Sequence, residues 1–208
     1  MKNLKLTAFV LLLSLSTLAM TQATHPNPVG LPNPVNNAQA QADKVPVGTV
    51  VENQLNILER EFVGAAEAMP EDKYNFTPAS LNIPGSDYKG VRTFAEEVKH
   101  VATTNYEFFS AALGEKSTVD TSNENGPASI TSKADIIKFL KDSFALGHRA
   151  AKALTAQNYD ERVSVGQGKS TRLFLNTFAV AHGFDHYGQM VEYLRMNGII
   201  PPASRPRQ

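Results

Sequence analysis

The chain contains no cysteine. Disulfides, thiolate metal ligands, cysteine nucleophiles and a lipid-anchored cysteine are therefore excluded. Tryptophan is absent as well. Neither sign of charge is in surplus, because Lys plus Arg and Asp plus Glu each number 20 among 208 residues. Without a basic excess there is no electrostatic footprint for nucleic acid, and no nucleic-acid partner is expected. No useful length alternates apolar and polar residues at a strand's period of two. There is no internal repeat, no Ser-His-Asp motif, no phosphate-cradling Gly loop and no zinc ribbon.

What is present starts with a targeting pattern. Lys2 and Lys5 precede an apolar run from Leu6 to Met20. The run suits a secretory signal and falls short of the roughly 20 residues of a membrane-spanning helix. Thr21 and Ala23 supply the small side chains of a cleavage site after Ala23. Residues 1–23 are thus expected to be a signal peptide, and the protein periplasmic or secreted, with no stable membrane span after cleavage. Losing two lysines takes the formal charge to 18 − 20 = −2. Residues 24–46 are rich in Pro and Asn and lack an apolar period, which predicts a disordered linker. His25 within it is expected to be solvated.

Residues 47–202 read as four helices, with 203–208 as a tail. Val51, Leu55, Leu58, Phe62, Ala65 and Met69 recur at steps of three and four and predict a helix over 48–69. Pro70 ends it. A long crossing loop with Pro78, Pro84 and Gly85 follows. Phe94, Val98, Val101, Phe108 and Ala112 predict a second helix over 91–113, stopped by Gly114. Ser132 with Asp135 marks the start of a third, with Ile136, Leu140, Phe144, Gly147, Ala151 and Leu154 on its apolar face. Residues 158–169 read as a loop with an extended turn at 162–165. The fourth helix spans 170–197, and its stripe reads Leu175, Phe178, His182, His186, Gln189, Tyr193. Gly198 and Pro201-Pro202 close it. The expected fold is an all-α four-helix bundle, up-down in type, with the long crossing loop after the first helix.

The chemistry gathers on the fourth helix. His182 and His186 stand where the period asks for apolar residues. Four residues apart, their Cβ atoms lie about 5–6 Å from each other, so both rings can address one ion. The zincin motif shares this spacing but places Glu after the first His, and Gly183 is there instead. His100 lies midway along the second helix, beside Val98 and Val101. If those helices face each other, it completes a three-nitrogen divalent-metal site with open positions. If not, it is a core-edge histidine held by a hydrogen bond.

Asp185 is the candidate catalytic residue, as a general base or as an acceptor for a ligating ring. A solvated carboxylate is the plainer alternative. Glu96 and Glu97, one turn before His100, could accept from an imidazole, although a solvated face is the simpler expectation. Gln189 could contact a bound water or another helix, and Tyr187 could face the pocket or solvent. His148, at the edge of the third helix's apolar face, could be a pocket group, although an ordinary surface-edge histidine is the simpler expectation. Gly64, Gly147 and Gly183 each cost about 1 kcal/mol against Ala inside a helix. Close packing, or for Gly183 room beside the metal, would explain them.

These segments resemble the DinB-like superfamily, which includes YfiT-like metal-dependent hydrolases and bacillithiol-transferase-like proteins. Phe94-Ala95-Glu96-Glu97-Val98-Lys99-His100-Val101 is similar to the segment carrying the family's single second-helix histidine. His182-Gly183-Phe184-Asp185-His186-Tyr187-Gly188-Gln189-Met190 is similar to its fourth-helix segment. Tyr193-Leu194-Arg195, Gly198 and Pro201-Pro202 continue the family's ending. The resemblance runs over about residues 49–202. It implies a four-helix bundle with His100, His182 and His186 on one divalent ion, nickel or zinc, and a small-molecule substrate or ligand. A homodimer is compatible with it. The chain departs from the family in carrying a secretion signal and in lacking a tryptophan before the second helix, and the signal puts a cytosolic thiol cosubstrate in doubt. Two functions stay open: a metal-dependent hydrolase or transferase, and a bundle of the cell envelope that binds metal or a small ligand without turnover. A purely structural bundle whose histidines pair with Glu and Asp stands behind both.

Overall fold

The computed structural model describes residues 44–206. The expected signal peptide and nearly all of the expected linker lie outside the described residues. Four helices form the bundle: α1 (Val47–Ala68), α2 (Phe94–Leu113), α3 (Lys133–Lys152) and α4 (Arg172–Met196). The described residues hold a single hairpin, with β1 (Arg162–Val165) antiparallel to β2 (Gly168–Thr171). No described helix is long and apolar enough to cross a membrane.

Local chemistry sets the boundaries. α2 begins three residues later than its apolar period suggests, because Thr93 caps it. The Thr93 hydroxyl accepts from the Glu96 N–H, and the Glu96 carboxylate accepts from the Thr93 N–H at 2.8 Å. Gly114, at φ +74°, provides the left-handed residue that ends the helix. Ser132 caps α3 by accepting from the Asp135 N–H. α4 starts at Arg172 rather than at residue 170, since Gly168–Thr171 pairs with β1. The extended segment at 162–165 is present, and its partner strand occupies residues expected as loop and helix start.

α1 packs on α3 and α4, and α2 packs on the same two helices. Consecutive α1 and α2 therefore stand on a diagonal, which the long connection over 69–93 spans. Chain directions follow from cross-helix contacts. Tyr193 near the end of α4 donates to the Arg92 carbonyl before α2, and Arg172 at the start of α4 reaches the Ala112 carbonyl near the end of α2. These two helices are antiparallel. Asn105 bonds Ser143, and Phe109 meets Gly147, so α2 and α3 run the same way, and the expected up-down order is not kept between them. A parallel pair needs a return connection, and residues 114–132 supply it. That connection passes beside the N-terminal half of α2, where Lys99 donates to the Pro127 and Ile130 carbonyls.

The core contains Leu55, Leu58, Phe62, Phe94, Phe109, Leu140, Phe144 and Met190, all fully buried. Small residues bring the helices together. A Cβ added at Gly183 would sit 2.4 Å from Leu58 Cδ2, and one at Gly147 would sit 2.6 Å from the Phe109 ring. Close approach of α1 thus accounts for Gly183. This approach also rotates α4 away from the expected stripe. Leu175, Ala179, Gly183, His186, Met190 and Tyr193 face the core, whereas Phe178 is 42% exposed and His182 and Gln189 are half-buried. His182 stands at the margin of the apolar face.

Candidate metal centre

α2 and α4 bring three histidines together. His100 Nε2 and His186 Nε2 each lie 3.1 Å from His182 Nε2. One ring nitrogen from each lies within 4.8 Å of the others, and the three could hold a metal ion. Antiparallel packing makes this possible. It sets His100, near the start of α2, level with the second half of α4.

The protons on two rings are fixed by their partners. His100 Nδ1 is 2.6 Å from the Glu124 carbonyl oxygen, which can only accept. Nδ1 of His100 is therefore the N–H, and its Nε2 lone pair is free. His186 Nδ1 is 2.5 Å from Glu97 Oε2. In the neutral ring, a carboxylate accepting from Nδ1 leaves Nε2 unprotonated too. Two lone pairs thus face the same point as the third ring. The His182 Nε2 either donates its proton to one of these lone pairs or, with the proton on Nδ1, joins them as a third donor to a cation.

The donor set fits a divalent ion. Nitrogens held at about 2.0–2.1 Å in octahedral or tetrahedral arrangement lie roughly 2.8–3.4 Å apart, and the two 3.1 Å spacings to His182 fall inside that range. His182 Nδ1 is buried and has no hydrogen-bond partner among the described residues. That orphan leaves the His182 ring oriented by its neighbours alone. Burial also favours the ligating, neutral form. Desolvation, followed by the neighbouring rings of His186 and His100, pushes His182 down to about 4. Desolvation likewise lowers His100, against the raising effect of its bond to Glu124.

Glu97 is the residue that the sequence reading undervalued. It is 2% exposed, and its carboxylate touches the His186 ring instead of forming a solvated face. The signal was present: Glu97 stands three residues after Phe94 and four before Val101, on the apolar stripe itself. Glu96 instead closes the Thr93 cap. The Glu124 carbonyl comes from the return connection and has no counterpart in sequence pattern. Arg92 stands nearby, held by Asn125 and by Glu124 at 3.3 Å.

The remaining candidates separate from the centre. Asp185 is exposed, and its charge acts on His182 through space. Gln189 Nε2 is 3.5 Å from His186 Nδ1, too far for a firm hydrogen bond. Tyr187 packs against the core. His148 is neither a pocket group nor an ordinary surface histidine. It lies between two α1 carboxylates, 3.0 Å from Glu52 and 2.7 Å from Glu59, and so ties α3 to α1.

Comparisons with known proteins agree with this architecture. A crystal structure of a DinB-like protein from Bacillus cereus superposes with a TM-score of 0.57 at 14% identity, covering 73% of this chain and 93% of that one. A DinB-like protein from Bacillus subtilis superposes with a TM-score of 0.55 at 19% identity, covering 76% and 99%. No curated protein matches the chain significantly. The sequence pattern of the DinB superfamily matches residues 54–190, which include all three histidines and both packing glycines, and the chain belongs to that superfamily.

Proposed function

We propose that this DinB-superfamily protein is an exported, divalent-metal-dependent enzyme, a hydrolase or transferase acting on a small molecule. One observation carries the reading: three Nε2 atoms converge while Glu97 and the Glu124 carbonyl hold two of the rings in the ligating tautomer. His100, His182 and His186 would hold nickel or zinc. Three protein ligands with open positions is the arrangement of reactive rather than structural sites. A divalent ion bound there supplies Lewis acidity to an attacking water or thiol or to a substrate carbonyl. The residues of the chain do the rest. Glu97 keeps His186 oriented and balances part of the positive charge. His182, at the core margin, presents the side of the triad that substrate can reach. Asp185, exposed one residue before His186, is the proposed proton carrier.

A second reading has an observation of its own. Among the described residues no carboxylate except Glu97 touches the three rings, and Glu97 is buried and engaged. A bundle that binds metal or ligand without turnover needs nothing more. Elemental analysis separates both readings from a metal-free bundle. About one nickel or zinc per chain is expected, lost in His182→Ala. Incubating the loaded protein with small esters, amides and thiol-reactive electrophiles then separates the two readings. Metal-dependent turnover that drops in Asp185→Asn supports the enzyme, and metal binding without turnover supports the holder.

A further inference from the structure

Along α4 the triad continues into an aromatic ladder. Phe174, Phe178 and His182 follow one another four residues apart, at steps of about 6 Å along the helix. The Phe174 and Phe178 rings are nearly parallel, 10° apart in plane with centroids 5.3 Å apart. The Phe178 ring lies 6.3 Å from the His182 ring, tilted by 31°. Phe108 of α2 stands against Phe178 at 5.6 Å and 57°, closing one side. Phe174 and Phe178 are 53% and 42% exposed, unlike the aromatic side chains of the core.

We infer that this ladder is the specificity surface of the centre, and that it selects ligands with a flat aryl body joined directly to a metal-binding head group. The inference rests on the proposed metal site. Distance supports it: the Phe178 ring stands 6.3 Å from the His182 ring, a separation that an aryl ring one bond beyond a head group at the triad would span. Size argues against a protein partner. Two half-exposed phenyl rings offer on the order of 200 Å², far below the ~800 Å² per partner of a stable protein interface. The flat, parallel rings favour a planar ligand over a branched aliphatic one, because offset stacking adds to simple burial.

The test uses zinc-loaded protein and two probes with the same head group, acetohydroxamate and benzohydroxamate, titrated by calorimetry. Benzohydroxamate is expected to bind roughly tenfold tighter. The preference should vanish in Phe178→Ala and persist in Phe178→Tyr, with zinc content unchanged in both. Equal affinities in wild type, or a preference that survives Phe178→Ala, would overturn the inference while leaving the metal site intact. So would a wild-type dimer that falls apart in Phe178→Ala, since the ladder would then be covered by a second copy. Failure to bind zinc, or zinc binding with neither hydroxamate bound, refutes the open metal site and this inference with it.

Discussion

Replacing Glu97 by Gln tests the logic of the centre most directly. The change keeps the shape of the side chain and removes its charge. In the wild type, Glu97 Oε2 stands 2.5 Å from His186 Nδ1, and the carboxylate is 2% exposed. A carboxylate there accepts the Nδ1 proton and raises the basicity of Nε2. The amide accepts more weakly. If its NH₂ faces the ring, it drives the proton to Nε2 and blocks the ligating atom. Losing such a partner costs about 10–100-fold in metal affinity, or roughly 1.4–2.7 kcal/mol. The ion-free protein should respond in the opposite direction. A buried carboxylate is costly to desolvate, so its neutral isostere should leave the urea midpoint unchanged or higher. The assay is a competition titration of zinc against a chelator, paired with urea unfolding of the ion-free protein. A variant that binds zinc as tightly as wild type would refute the role given to Glu97. A fall in both affinity and ion-free stability would show that Glu97 acts on the fold rather than on His186.

Three further outcomes follow from the same geometry. Gly183→Ala would place a methyl 2.4 Å from Leu58 Cδ2 and 3.1 Å from Cδ1; overpacking of about 1–3 kcal/mol should outweigh the ~1 kcal/mol gain in helix propensity, lowering the urea midpoint. The ion-free protein should lose stability as pH falls from 6.5 towards about 4, because the unfolded chain binds protons that buried His182 and His100 resist; urea titrations across that window check the sign. His148 has the opposite sign. Burial alone would lower it, but bonds to Glu59 and Glu52 raise it overall, so its contribution is full below 6.5 and fades as pH rises through the raised value. A His148→Gln variant should therefore lose the decline of stability on the alkaline side.

The helices were legible because their apolar residues report burial at a fixed period. Every stripe residue named on α1 and α3 is buried. The stripe on α4 was read partly wrongly for a physical reason. That helix carries apolar residues around much of its circumference, so periodicity alone does not settle its rotation. The contact of Gly183 with Leu58 does, and it depends on a helix distant in sequence. The same blindness hid the partners of the histidines. The Glu124 carbonyl is a backbone atom in a polar connection, and no residue type marks it. His148 seemed ordinary because its two carboxylates sit on α1, some ninety positions earlier.

Glu97 is the instructive intermediate. A carboxylate on a stripe between Phe94, Val98 and Val101 contradicts the pattern around it. Burying its charge without a partner would cost several kcal/mol. Its position therefore already required a donor on a facing helix. His186 meets the same requirement from the other side, as an imidazole on the core face of α4 that needs an acceptor. Reading the two violations as a pair makes a contact between α2 and α4 an expectation, and the structure decides that the partner is His186 rather than His182, which stood on the same expected stripe. The convergence of the three Nε2 atoms then follows. Once Glu97 holds Nδ1 of His186, the remaining nitrogen points away from it toward His182, and His100, one turn beyond Glu97 on α2, lies within reach of the same point.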